Sequence, residues 1–478
     1  MKEGDDRYGS PRSDPERIRT MAHTPSHSRH TWLGSNRPLA RAIGRPVASF
    51  LGIEAAGGIL LMIATGVALF WANSPASAGY FDLWDAEINL GIGDLFVLEH
   101  NGHPLSLGQF VNDVLMVLFF FVIGLEIKRE LVTGELRRFR AALLPAAAAL
   151  GGMIVPAAIY MAMNGSGEAS AGWGIPMATD IAFAVGVVSL LGNRVPAALK
   201  VFLLTLAIID DIGAILVIAV FYTSDLSSGW LLVGALVALV VVLLTRANVR
   251  YSPIYAGLGI LLWYSVFRSG VHPTIAGVVM GLLAPARSLF EVDHATEAVQ
   301  PVLAGAVDVR QVRRARFHLK ETVPVTERLE DLLHPITGFV ILPVFALANA
   351  GIVFSTDLLS AATSSGVTIG VAVGLVVGKV VGVSVFALAS VRLGLCTLPA
   401  GVTRSHVVGI SAIAGIGFTV SMFIGGLAFD NAGLQEEAKV GILLASLIAA
   451  LIGSLILFRA RRPSVVFSGA TDGSSPGV

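Results

Sequence analysis

Three aspartates and one lysine stand in stretches where charge is costly. Asp180 lies in Pro-Met-Ala-Thr-Asp-Ile-Ala-Phe-Ala (176–184), Asp210 and Asp211 in Leu-Thr-Leu-Ala-Ile-Ile-Asp-Asp-Ile-Gly-Ala-Ile-Leu (204–216), and Lys379 in Gly-Val-Ala-Val-Gly-Leu-Val-Val-Gly-Lys-Val-Val-Gly (370–382). Each run is apolar enough to belong to a bilayer-spanning segment, where one charge costs about 2.5–3.5 kcal/mol on insertion scales. The bland reading is structural, with each carboxylate satisfied by backbone or by a neighbouring cation. The sharper reading is a cation or proton site. Adjacent Asp210 and Asp211 point about 100° apart on a helix, so both border one cavity without facing the same spot. One carboxylate can then meet water and a cation while its neighbour meets a basic group. Sodium and lithium are hard ions that take oxygen ligands from carboxylates, hydroxyls and freed carbonyls. Lys379 is the candidate basic group, because the run on either side places its ammonium near mid-membrane.

The elements that must hold these residues follow from composition and hydropathy. The 478 residues are 54% hydrophobic and 14% charged, with mean hydropathy +0.76, against roughly 25% charged residues in soluble domains. Lys+Arg and Asp+Glu are both 33, so net charge selects no partner. The single cysteine, Cys396, excludes an intramolecular disulfide and a cysteine metal cluster. Apolar runs of roughly 17–25 residues are what a crossing helix needs, and about twelve occur by that criterion. They lie near 48–72, 112–127, 141–162, 174–191, 200–221, 229–245, 253–267, 271–284, 333–352, 366–391, 403–427 and 438–459. The fold expected is therefore all-α and polytopic.

Loop charges alternate. Arg37, Arg41 and Arg45 precede the first span, and Lys128, Arg129, Arg137, Arg138 and Arg140 follow the second. Further basic loops carry Arg194 and Lys200, Arg246 and Arg250, Arg310 to Lys320, Arg392 and Arg404, and Arg459 to Arg462, whereas Arg268 and Lys439 are the exceptions on the other side. The positive-inside rule then puts both termini in the cytoplasm, with an even span count, in a cell (inner or plasma) membrane. Residues 1–40 and 461–478 read as disordered cytoplasmic tails around a membrane domain at 41–460. Near 80–103, alternating side chains and Asn101-Gly102 predict an extracytoplasmic β-hairpin. Residues 286–332 read as a long, charged cytoplasmic loop without packed structure of its own.

Two spans look discontinuous. Pro176 to Asp180 puts a proline and two polar residues in mid-segment, and Gly415-Ile416-Gly417-Phe418-Thr419-Val420-Ser421 has the same character. A break frees backbone groups, so it is tolerated only where it lines protein or a wet cavity. Matching breaks in oppositely oriented halves are the mark of inverted repeats around a transport site.

Here the chain closely resembles the NhaA family of sodium/proton antiporters. The resemblance is carried by Gly-Leu-Glu-Ile-Lys-Arg-Glu-Leu (124–131), Ala-Thr-Asp-Ile-Ala-Phe-Ala (178–184), Ala-Ile-Ile-Asp-Asp-Ile-Gly-Ala-Ile (207–215), Phe-Ala-Leu-Ala-Asn-Ala-Gly (345–351), Val-Gly-Lys (377–379) and Gly-Ile-Gly-Phe-Thr-Val-Ser (415–421). It runs in order from about residue 40 to 460. It implies a core of two inverted three-helix repeats, with Asp211 binding the transported Na+ and exchanging protons, Asp210 paired with Lys379, and Thr179, Asp180, Gly415, Gly417 and Thr419 at the helix breaks. It also implies a pH-sensing cluster of Glu126, Lys128, Glu130, Glu330 and His334, with Asp331 where a histidine is common, and a further pH-linked histidine, His272. The activity implied is electrogenic, pH-regulated export of sodium and lithium against protons for sodium and pH homeostasis, by a homodimer in membrane lipid that needs no cofactor and binds no nucleic acid.

Rival classes fit worse. An intramembrane aspartyl protease needs two facing aspartates sharing a proton, which adjacent Asp210-Asp211 do not provide. A channel needs no titrating pair. A proton- or sodium-coupled symporter of a small anion calls for a larger polar pocket, and the spans hold no cluster of Asn, Gln or Arg to line one. No Gly-x-x-x-x-Gly-Lys-[Ser/Thr] loop is present to cradle phosphates, so neither ATP nor an enzymatic reaction is expected.

Overall fold

Apolar runs too long for a soluble core helix fold here as helices of membrane-crossing length. The computed structural model describes residues 56–88, 91–92, 96–97, 99–100, 103–223, 226–305 and 308–460. The tails at 1–40 and 461–478, and the start of the first apolar run, lie outside the described residues. In chain order the helices are α1 (Ala56–Ala72), α2 (Ser77–Asp85), α3 (Leu107–Val132), α4 (Phe139–Met163), α5 (Ile181–Leu190), α6 (Ala197–Phe221), α7 (Ser228–Arg246), α8 (Ser252–Phe267), α9 (Thr274–Leu283), α10 (Val292–Leu303), α11 (Val309–Glu321), α12 (Val325–Asn349), α13 (Thr356–Ser364), α14 (Gly366–Arg392), α15 (Arg404–Ile413), α16 (Phe418–Ala428) and α17 (Ala432–Arg459). A 3-10 segment, Glu168–Met177, precedes α5.

Among the described residues, seven helices (α3, α4, α6, α7, α12, α14 and α17) are long and apolar enough to cross a membrane. Three pairs reach that length only together. The 3-10 segment and α5 bend by 42°, α15 and α16 by 48°, and α1 and α2 by 113°. The first two bends fall where Pro176 and the 415–421 glycines interrupt the pattern. α8 and α9 are apolar but shorter.

Polar residues set where helices begin. Ser106 and Gln109 form a reciprocal capping box at the head of α3, Ser365 accepts from Val367 N and Thr368 N at α14, and Thr403 with His406 caps α15. Each side chain takes up an N–H that the first turn leaves without a partner.

Between α2 and α3 are short antiparallel strands: β1 (Glu87–Ile88), β2 (Gly91–Ile92), β3 (Phe96–Val97), β4 (Glu99–His100) and β5 (His103–Ser106). They form a β1-β5-β4 sheet and a β2-β3 pair. His100 pairs with His103, and the intervening Asn101-Gly102 lies outside the described residues. Residues 80–85, taken in sequence as part of a hairpin, belong instead to α2, where Tyr80 is buried and donates to Leu347 O at 2.6 Å.

Residues 286–332 correct a sequence expectation. They hold α10, α11 and the start of α12 rather than an unpacked loop. Charge density hid an amphipathic pattern: Ala295 and Ala315 are buried, and Phe290 stacks on His318 at 4.4 Å. Buried Glu321 pairs with Arg328 at 3.0 Å and with Arg250 at 3.8 Å, fastening the end of α11 to the head of α12 and to the α7–α8 connection.

Candidate functional site

Small residues bring the lysine helix to the aspartates. Gly374 and Gly378 on α14 face Pro176 and Pro156, and a Cβ on them would stand 2.7 Å from Pro176 Cβ and 2.8 Å from Pro156 Cα. Only glycine allows that approach. The same stretch, Gly374–Gly378, winds as a π-turn, the local irregularity often found at functional sites. Lys379 follows it directly and is fully buried.

Lys379 Nζ meets Asp210 Oδ2 at 2.6 Å, with both side chains wholly shielded from solvent. It also donates to Thr179 Oγ1 at 3.1 Å. The Thr179 hydroxyl lies 2.9 Å from Asp210 Oδ2 and 2.8 Å from Ala414 O, so it joins the ion pair to the end of α15. Asp210 Oδ1 is buried and takes no hydrogen bond among the described residues.

Asp180 sits where the two broken helices cross. Its Oδ1 accepts from Phe183 N at 2.9 Å, capping α5. Its Oδ2 accepts from Thr419 N at 3.0 Å and Thr419 Oγ1 at 2.6 Å, capping α16. One carboxylate therefore faces the positive ends of two helices, where a negative charge is favoured. The freed carbonyls are satisfied across the same crossing: Asp180 N donates to Ile416 O at 2.7 Å, and Ser421 Oγ to Ile175 O at 2.7 Å. Gly415 is held by contact, since a Cβ there would press on the Leu375 carbonyl. Gly417 forms the N-cap of α16.

Asp211 differs from both. It is buried, 3% exposed, yet none of the described residues donates to its carboxylate. The charges that act on it are those of Glu126, Asp210, Asp180 and Lys379. A carboxylate with open lone pairs among three other acids is a place where a proton or a small cation gains most from binding.

The seven residues marked for pH sensing separate in space. Glu330 accepts from Arg129 Nη1 at 2.6 Å, Arg129 lies 3.7 Å from Glu130, and Glu126 feels the charges of all three. Lys128 falls on another face of α3, because Glu126, Arg129 and Glu130 follow the i, i+3, i+4 spacing and Lys128 does not. Asp331 and His334 are exposed, and His334 stands one turn after Glu330 on the same helix. His272 is elsewhere again: its Nε2 lies 3.5 Å from Asp113 Oδ1 and its Nδ1 2.8 Å from Thr274 Oγ1. From Asp113 to Glu126 is about half the length of α3, about 20 Å at 1.5 Å per residue. Sequence reasoning missed Arg129 and Asp113. The i, i+3, i+4 spacing within 126–130 was a signal for Arg129, whereas nothing local marks Asp113 as the partner of a residue far along the chain.

Residues 48–457 match the family described as Na+/H+ antiporter 1. The chain belongs to that family. It is similar to the Na+/H+ antiporter NhaA 2 of Sorangium cellulosum, 47% identical over 446 residues that cover 91% of this chain and 94% of that protein. Similarity to the Na+/H+ antiporter NhaA 3 of Frankia alni is 46% over 417 residues, 86% and 88% of the two chains. For the NhaA antiporter of Oleidesulfovibrio alaskensis it is 44% over 435 residues, 87% and 95%. The match spans the Asp180–Thr419 crossing, the Lys379–Asp210 pair and Asp211 together, and the resemblance drawn from the motifs is borne out at the scale of the whole membrane domain.

Proposed function

We propose that this antiporter-family chain exports Na+, and Li+, in exchange for protons at a site formed by Asp211, Asp210 and Lys379. The observation that carries the reading is the contrast between neighbours: Asp210 is neutralised by Lys379 at 2.6 Å, while Asp211, one residue on, has no donor among the described residues. Asp211 is the residue that alternates between H+ and Na+, with Asp210 supplying further oxygen. Na+ is cargo here, and no cofactor takes part. Thr179, Asp180, Gly415, Gly417 and Thr419 hold the crossing rigid, so that the two broken spans move as a unit about the site.

The topology that suits this mechanism has twelve crossings in a cell membrane, both termini cytoplasmic and two inverted repeats meeting at the crossing. Glu126, Glu130 and Glu330, with Arg129, form the cytoplasmic mouth through which pH acts on Asp211. Lys128, Asp331 and His334 flank that mouth, and His272 lies away from it beside Asp113. The strands at 87–106 pair two protomers into a homodimer. More protons enter than sodium leaves, so the cycle is electrogenic and runs on the proton gradient.

Competition makes the proposal testable. Each proton displaced on binding Na+ raises the apparent Na+ affinity about tenfold per pH unit, so exchange of more than one proton per Na+ implies a rise of at least tenfold per unit until the site is fully deprotonated. Fluorescence dequenching in everted vesicles, with Na+, Li+ and K+ added from mildly acidic to mildly alkaline pH, reads this directly. The expected result is a response to Na+ and Li+, not K+, with half-saturation falling as pH rises. A half-saturation independent of pH, or an equal response to K+, would overturn it.

A further inference from the structure

Between the membrane helices α9 and α12, α10 and α11 pack side by side and leave an open groove of about 520 Å³. Val299 and Val302 of α10 and Val312, Ala315 and Leu319 of α11 form its walls, with Arg316 and Lys320 at its rim. The apolar surface continues past the groove, for Val292, Leu303 and Val309 are 73%, 80% and 70% exposed. α11 adds Arg310, Arg313 and Arg314, exposed on its faces away from the groove, and Glu321, the one acid within α11, is already held by Arg328 and Arg250. The acids of α10, Asp293 and Glu297, stand on the face away from Val299 and Val302.

Neither a soluble surface nor a bilayer-spanning helix needs this pattern. An apolar groove face on helices that carry several arginines and a lysine suits a layer that offers hydrocarbon and negative charge together. The tether is equally informative. Glu321 locks α11 to Arg328 near the start of α12, and Leu289 N donates to Glu321 O at 2.9 Å, so the helical hairpin is held at the ends of membrane spans.

We infer that the α10–α11 hairpin docks on the anionic lipid headgroups of the leaflet beside it, seating an acyl chain against Val299, Val302, Val312 and Leu319 while Arg310, Arg313, Arg314, Arg316 and Lys320 meet the phosphates. On the topology proposed above this is the cytoplasmic leaflet. Each cation near an anionic surface strengthens partitioning about fivefold, so the basic set, rather than the groove alone, decides the lipid chosen.

The test uses the full chain in nanodiscs whose two leaflets are identical, which makes the outcome independent of sidedness and of transport. A bimane label is placed at Leu319→Cys in a Cys396→Ala background, with Glu297→Cys as the control on the opposite face. Quenching by lipids brominated on their acyl chains is compared in phosphatidylcholine and in a mixture one-third phosphatidylglycerol. The expected result is strong quenching of the Leu319 label in the anionic mixture, several-fold weaker quenching in phosphatidylcholine, and little at Glu297 in either. The Arg310→Gln, Arg313→Gln, Arg314→Gln, Arg316→Gln variant should abolish the difference between lipids. Equal quenching in the two lipids, or none in either, would overturn the inference. So would a label that leaves water only when cytosolic protein is added, which would assign the face to a protein partner.

Discussion

Replacing Asp210 by Asn keeps the shape of the side chain and removes the charge that Lys379 faces at 2.6 Å. Both groups are wholly buried, so no water is at hand to take over. Losing one partner of a buried ion pair costs about 3–5 kcal/mol, because the other charge is left uncompensated. Spread over the unfolding entropy of a chain this long, that is a fall in melting temperature of roughly 3–5 °C. Thr179 moderates the loss slightly, since its hydroxyl still accepts from Lys379 at 3.1 Å. Adding Lys379→Met to Asp210→Asn removes both charges, and replacing both partners of such a pair is often near neutral. The double variant should therefore recover most of the lost stability, with a coupling of about 2–4 kcal/mol in the thermodynamic cycle. Melting of detergent-solubilised protein, followed by size-exclusion chromatography of heated samples, measures each corner. An unchanged melting temperature for Asp210→Asn, or strictly additive losses in the double variant, would refute the pair as an energetic unit.

Asp211→Asn should abolish sodium-coupled proton movement in everted vesicles while leaving melting within about 1–2 °C of the parent, because no donor among the described residues depends on that carboxylate; wild-type rates at saturating sodium would sink its assignment. Asp180→Ala strands the N–H of Phe183, the N–H of Thr419 and the Thr419 hydroxyl in a buried crossing, and at about 1–3 kcal/mol for each buried group left unsatisfied it should destabilise the fold as strongly as the loss of Asp210; a melting curve matching the parent would show that the crossing is held by packing alone. Deleting residues 87–103 should give a monomer by mass measurement in detergent that still exchanges sodium for protons and tolerates heat less well. A persistent dimer would place the interface elsewhere, and folded monomers without transport would show that one protomer is not self-sufficient.

Much of this was legible along the chain because a bilayer imposes local rules. Hydrocarbon thickness sets the length of an apolar run, so α4, α6, α7, α14 and α17 coincide with runs read to within a few residues. A charge in such a run is conspicuous, which marked Asp180, Asp210, Asp211 and Lys379, and a proline or clustered glycines marked the two breaks. Length fails where polarity interrupts: α10 and α11 were read as loop because α11 carries more charges than apolar residues and α10 is too short and too polar to cross a membrane, although the spacing of their apolar residues was helical. What the sequence could not decide is which oxygen belongs to which partner. Asp210 and Asp211 are chemically identical neighbours, and only the approach of α14 through Gly374 and Gly378 gives Lys379 to one and leaves the other open. The same holds for Asp180, whose caps on α5 and α16 join residues 239 positions apart. It holds also for the acids near the mouth, where packing of remote segments joins Glu330 to Arg129 and Glu130, helix phase turns Lys128 to another face, and His272 is placed beside Asp113 instead. Residue type determines that a group can carry charge; the packing of remote segments determines whether that charge is met.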